Sequence, residues 1–109
     1  MPYFFDPSRI RRMELVPGVN LRPMWGDRIM MSLEEIAPRT ELPSHVHPHE
    51  QAGIVLQGEF EFTIGGETQR VRQGDAYLIP GGVEHSLIGS DGWSLAVDIF
   101  SPPRQEYKR

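Results

Sequence analysis

Residues 45–51 read His45–Val46–His47–Pro48–His49–Glu50–Gln51. Three of the chain's four histidines fall in this stretch, and the fourth is His85. His45 and His47 are two apart. On a strand, residues i and i+2 face the same side, so both imidazoles point one way. Neutral imidazoles that converge like this begin a divalent-metal site. Gln51 has the same parity, although Pro48 interrupts the run, while Glu50 has the opposite parity and replaces Gln51 if the loop shifts. His85 follows Pro80–Gly81–Gly82, a turn that can bring it back over the cluster. The competing reading is a solvated histidine loop, which His49 beside Pro48 fits. Residue types alone leave both readings open.

Outward from the cluster, the sequence alternates with period two. In Arg28–Ile36 the apolar Ile29, Met31 and Leu33 alternate with Arg28, Ser32 and Glu34. In Glu59–Ile64, Phe60, Phe62 and Ile64 alternate with Glu59, Glu61 and Thr63. Gly65–Gly66 is a hairpin turn leading into a polar return strand, Thr68–Arg72. Gln73–Gly74–Asp75 is a second turn, and Ala76–Ile79 and Ser94–Phe100 are further strands. Gly81–Gly82 and Ser90–Asp91–Gly92 are loops. With 11 glycines and 10 prolines along the chain, no window holds a helical apolar period for three turns. Short strands at spacings of roughly 8–12 residues predict an all-β sandwich or barrel. Met1–Val16 is expected to form an arm or short helix packed on the barrel or a neighbour. Ser101–Arg109, opening on Ser101–Pro102–Pro103, is expected to be a non-strand tail. One domain accounts for residues 1–109.

Composition removes several classes of function. The chain has no cysteine, which excludes disulfides, thiolate metal sites and cysteine nucleophiles. Its single lysine, Lys108, argues against Schiff-base chemistry on a buried amine. A net charge of −4 lacks the basic field of a nucleic-acid binder. No apolar run is long enough for a transmembrane helix. Met1–Arg12 carries charges where a signal peptide needs an apolar stretch, so the expected location is the cytoplasm.

Two motifs together resemble the cupin superfamily. His45, His47, Gln51 at the acid position and Gly58 match its first motif, with Arg39 where glycine normally opens it. Gly74, Pro80, Gly82 and His85 match the second, with Gly89 in place of the usual asparagine. The resemblance implies a double-stranded β-helix (jelly-roll) barrel. It also implies one divalent transition metal (nickel, zinc, manganese or iron), held by His45, His47, Gln51 and His85. Glutamine for glutamate leaves the site one negative charge short. The metal would be held less tightly, act as a stronger Lewis acid and favour anionic ligands.

Near the C-terminus, Asp98 shares a strand face with Ala96 and Phe100. If that face lines the barrel, Asp98 is a carboxylate beside the metal and a candidate acid or base; otherwise it faces solvent or pairs with an arginine. The run Asp98–Ile99–Phe100–Ser101–Pro102–Pro103–Arg104 resembles the end of a group of small cupins from pectin and alginate degradation. Those proteins convert 4,5-unsaturated monouronates into linear keto sugar acids. The resemblance implies that Asp98 transfers a proton, Phe100 shapes the pocket and Arg104 holds the anionic small-molecule substrate. The alternatives are an iron-dependent dioxygenase, a sugar isomerase, or a sugar-binding or sensing module without catalysis. A homodimer is expected, since the sheet edges need protection and Tyr3–Phe5 could cover a neighbour. Arg22, Arg28, Arg70 and Arg72 are expected on solvated faces, and Met24 and Trp25 in the core.

Overall fold

The computed structural model describes residues 3–108. Met1 and Pro2 of the expected arm, and Arg109 of the expected tail, lie outside this range. The described residues form ten strands: β1 (Met13–Val16), β2 (Val19–Trp25), β3 (Met30–Ile36), β4 (Glu41–His45), β5 (Glu50–Gln57), β6 (Glu59–Ile64), β7 (Glu67–Arg72), β8 (Ala76–Ile79), β9 (His85–Gly89) and β10 (Ser94–Ser101). Two short 3-10 turns, Pro7–Arg9 and Gln105–Tyr107, stand outside them. The strands form two antiparallel sheets, β1-β2-β3-β10-β5-β8 and β4-β9-β6-β7. This is the jelly-roll arrangement of an all-β barrel.

The two sheets face each other across an apolar core. Phe60 and Phe62 of β6 turn inward, as their alternation predicts, and meet Leu87, Val71, Val55 and Ile79. Full burial of each such side chain contributes about 1.5–3 kcal/mol. The chain crosses from β5 to β6 at Gly58, where φ is +76°. A Cβ there would lie 2.5 Å from the Trp93 carbonyl oxygen. This turn therefore needs glycine for both its backbone conformation and its close approach.

β3 departs from its pattern. The buried residues are Met30, Ser32, Glu34 and Ile36, whereas Ile29 and Met31 are exposed. The apolar parity marks the outer face of the six-stranded sheet, where Met31 lies opposite Ile99 and Leu33 opposite Val97. The polar parity points inward because it borders a polar interior: Ser32 is opposite Asp98 and Glu34 opposite Ala96.

The ends follow the expected arm and tail in part, with a strand added to the first. Residues 13–16 of the expected arm form β1, an edge strand on β2. Ahead of it, Arg22 Nη1 donates to the carbonyls of Pro7 (3.1 Å) and Ile10 (3.0 Å), and its Nε pairs with Glu35 at 3.2 Å. Arg22 is therefore half-buried and fastens the N-terminal segment rather than lying on a solvated face. Arg70 and Arg72 pair with Glu59 on the exposed side of the β6–β7 hairpin, and Arg28 is exposed. Met24 is buried and Trp25 packs partly against the second core cluster. The expected tail also folds back. Ser101 is the last residue of β10, and Tyr107 is buried with Val19, Leu21, Met30 and Phe100.

Candidate metal centre

Different elements bring the three central histidines together. His45 ends β4 and lies opposite His85, the first residue of β9. His47 lies beyond β4, in the connection to β5, so strand parity does not place it. The Gly82 amide donates to the His47 carbonyl at 2.9 Å, tying this connection to the Pro80–Gly82 turn. Ring centroids are 4.2 Å apart for His45–His85, 4.9 Å for His47–His85 and 6.0 Å for His45–His47. One ring nitrogen from each falls within 4.8 Å of the others. Gln51 arrives from the opposite sheet, near the start of β5, and is buried, whereas Glu50 beside it is exposed. His49 stands in the loop as expected but is half-buried, with its ring 5.5 Å from that of His47.

The backbone fixes the tautomers. Nδ1 of His45, His47 and His85 lies 3.0, 3.1 and 3.0 Å from the carbonyls of Pro43, His49 and Val83. A carbonyl only accepts, so each Nδ1 carries the proton and each Nε2 is left with a lone pair. Carbonyl-anchored imidazoles of this kind are typical metal ligands. Two observations fit a cation here. His85 Nε2 is buried and has no hydrogen-bond partner. Gln51 Oε1 lies 3.0 Å from His47 Nε2. With the proton on Nδ1, these two atoms turn lone pairs toward each other, the arrangement that two ligands of one cation adopt. Burial pulls His85 down to about 4 and also lowers His47, which keeps both rings neutral at pH 7.

Asp98 lies on the inner face of β10 and is 2% exposed. Tyr77 reaches it from β8, across β5, and donates its hydroxyl to Asp98 Oδ1 at 2.5 Å. Gly53 is the β5 residue between them, in register with both. A Cβ on Gly53 would collide with Asp98 Oδ1 and lie 2.5 Å from Tyr77 Cε1. Glycine at this position is what lets the phenol reach the carboxylate. Burial, reinforced by the charge of Glu34, raises the Tyr77 phenol well above its ordinary value, so it stays a donor.

Phe100 is buried one inward step along β10, with its ring 6.0 Å from that of His47. Arg104 turns back over this ring at 5.7 Å and stacks on Tyr107 at 4.4 Å. Its Nε pairs with Glu106 at 3.4 Å. The chamber bordered by His45, Gln51, His85, Asp98, Phe100 and Arg104 has a volume of about 20 Å³. Six of the seven sequence-derived site residues therefore border one chamber, and the seventh, His47, stands beside it in the histidine group.

Three residues of this neighbourhood escaped the sequence reading. Tyr77 and Tyr107 carry aromatic side chains that look like ordinary core in a sequence. Glu34 belongs to the polar set of the β3 alternation, yet it is buried and borders the same chamber. Its parity with Ile36 was the available signal. Burial pushes the Glu34 carboxyl up to about 7, against the opposing pull of the Arg104 guanidinium.

Comparison with known proteins places these features in context. Residues 32–94 match the family model described as a cupin domain. The chain is 32% identical to the pectin degradation protein KdgF of Dickeya dadantii (strain 3937), over 96% of each chain. It is also 32% identical to the H2HPP isomerase of Bacillus subtilis, over 94% of this chain but 43% of that protein. Among solved structures, KdgF from a Halomonas species superposes with a TM-score of 0.89 at 28% identity, covering 97% of this chain and 98% of that one. An RmlC-like cupin from Shewanella frigidimarina gives a TM-score of 0.90 at 21% identity, covering 98% and 96%, a likeness of fold.

Proposed function

Because the chain belongs to the cupin family, we propose that it is a metal-dependent enzyme that converts a 4,5-unsaturated uronate into its linear keto form. The observation that carries this reading is the His45–His47–His85 group beside a buried carboxylate, Asp98, held by Tyr77. The similarity to KdgF along nearly the whole chain supports pectin degradation as the setting.

His45, His47 and His85, with Gln51 as a neutral fourth donor, would hold one divalent transition metal. When bound, it supplies Lewis-acid polarisation of a substrate oxygen. Arg104, its plane set by Tyr107 and Phe100, pairs with the substrate carboxylate. Asp98 takes the proton of the hemiacetal hydroxyl at C1. The C1–ring oxygen bond then breaks, leaving an aldehyde at C1 and an enol oxygen on C5. Return of a proton to C4 converts that enol into the 5-keto product. Atoms and charge balance without a co-reactant, so one proton-moving group suffices. Tyr77 holds Asp98 in place by donating to Oδ1.

A chamber of about 20 Å³ takes an ion, whereas sites for small organic ligands measure about 300–1,000 Å³. The exposed Ile29, Met31, Ile54, Leu78 and Ile99 support a homodimer through the outer face of the six-stranded sheet.

The test follows the ultraviolet absorbance of the C4–C5 double bond of 4,5-unsaturated galacturonate. Metal-reconstituted chain should accelerate its loss over the spontaneous rate. No acceleration with nickel, zinc, manganese or iron would refute the reading.

A further inference from the structure

We propose that Glu34 is a specificity-determining residue whose carboxyl recognises substrate hydroxyl groups, while Arg104 holds the carboxylate end. The ligand class is then a hydroxylated acid rather than any organic anion. This inference rests on the substrate reading above and extends it to the part of the molecule that the metal, Asp98 and Arg104 leave unread.

The argument starts from a polar group without a partner. Glu34 is 9% exposed, borders the chamber and takes part in none of the side-chain hydrogen bonds or ion pairs among the described residues, although its oxygens are not fully enclosed. Its register neighbours are Leu21 on β2 and Ala96 on β10, both fully buried and without side-chain donors. Tyr77 already gives its hydroxyl to Asp98. Arg104 is the nearby cation, yet its side-chain ion pair is with Glu106. Buried carboxyls normally have their lone pairs satisfied, and one left unsatisfied lowers stability. Such a defect inside a ligand chamber is expected where the ligand completes the pairing.

The chemistry of the missing partner follows from the surroundings. The group must donate hydrogen bonds and need not carry charge, because Arg104 already supplies the positive field. A carboxyl near its half-protonated state can accept from one hydroxyl and donate to another. Vicinal hydroxyls of a sugar acid meet this requirement, and an unsubstituted acid does not. A site built to pair with hydroxyls rejects ligands lacking them, because its own polar group is then left unpaired.

The experiment uses the metal-loaded full chain and isothermal titration calorimetry, with two ligands of equal charge. D-Galacturonate carries hydroxyls, and cyclohexanecarboxylate carries none. Glu34→Met should weaken galacturonate binding by about tenfold or more and leave cyclohexanecarboxylate within about twofold. The same variant should melt about 4–8 °C higher than wild type, because it removes an unpaired buried carboxyl of similar volume. If the Met variant fails to fold, Glu34→Leu should weaken galacturonate selectively in the same way, whereas Glu34→Gln, whose amide still accepts and donates, should keep the preference for galacturonate. Equal weakening of both ligands, a lower melting temperature in Glu34→Met, or no preference of wild type for galacturonate would each overturn the proposal. Wild type that binds galacturonate selectively but never turns over the unsaturated sugar would refute ring opening and leave the role of Glu34 standing.

Discussion

Replacing Gly53 with alanine tests whether the Tyr77–Asp98 contact depends on a missing side chain. The added Cβ would lie 2.5 Å from Tyr77 Cε1 and Cζ, and closer still to Asp98 Oδ1. Carbon–carbon contacts settle near 3.5–4.0 Å, so roughly 1 Å of space is missing. Neither neighbour is a free end, because the phenol and the carboxylate are hydrogen-bonded to each other. Overpacking of this kind costs about 1–3 kcal/mol. Parting the pair adds about 1.5–3 kcal/mol, since the bond involves a charged group. The alanine entropy advantage returns only about 0.4–1 kcal/mol. A net loss of about 3 kcal/mol, at about 4 °C per kcal/mol for a chain of this size, lowers the melting temperature by about 12 °C. Gly92→Ala is the control, since nothing lies within 4 Å of its Cβ position. Calorimetric melting of the two variants, with turnover measured at a temperature where both are folded, checks the reasoning. A Gly53→Ala chain as stable and as active as wild type would refute it.

Three further outcomes are expected. Titrating the metal-free chain with nickel, zinc or manganese should raise its melting temperature, and His85→Ala should abolish that rise, because the unpartnered Nε2 is lost. Glu34 should make stability depend on pH. Its folded carboxyl, near 7 rather than the ordinary 4.5, binds extra protons between these values. Its stability contribution is therefore intact below about 4.5 and is lost as pH rises through about 7, by about 3 kcal/mol at most. The melting advantage of metal-free Glu34→Met over wild type should accordingly widen from pH 4.5 to pH 8, as followed by circular dichroism. Sedimentation equilibrium should give twice the chain mass for wild type and the single mass for Met31→Glu/Ile99→Glu, which charges the outer sheet face.

The legible and illegible parts of the molecule differ in how local their causes are. The β6–β7 hairpin was readable because Phe60 and Phe62 alternate cleanly and Gly65–Gly66 ends the run. Asp98 was readable as sharing a face with Ala96 and Phe100, but whether that face turned inward stayed open until the sheets were packed, and it is buried. The histidines came together, but not for the reason the spacing suggests. His47 has left the strand, and Gln51 belongs to the other sheet, so their approach depends on sheet packing rather than parity. β3 misled because both its faces carry apolar residues, and the more regular stripe lies outside. The Tyr77–Gly53–Asp98 alignment spans three strands. No local pattern encodes such a register, and a glycine within a strand was its only trace. The fold of the C-terminal segment depends on Tyr107 finding Phe100 and Arg104, contacts that become possible only once β10 is in place.

The central claim is that Asp98 moves the proton while the histidines hold the metal independently of it. Asp98→Ala tests this when metal content and turnover of 4,5-unsaturated galacturonate are measured on the same metal-reconstituted sample. The account predicts a metal content equal to wild type and turnover reduced to the spontaneous rate. Loss of metal together with activity, or turnover that survives the substitution, would contradict it.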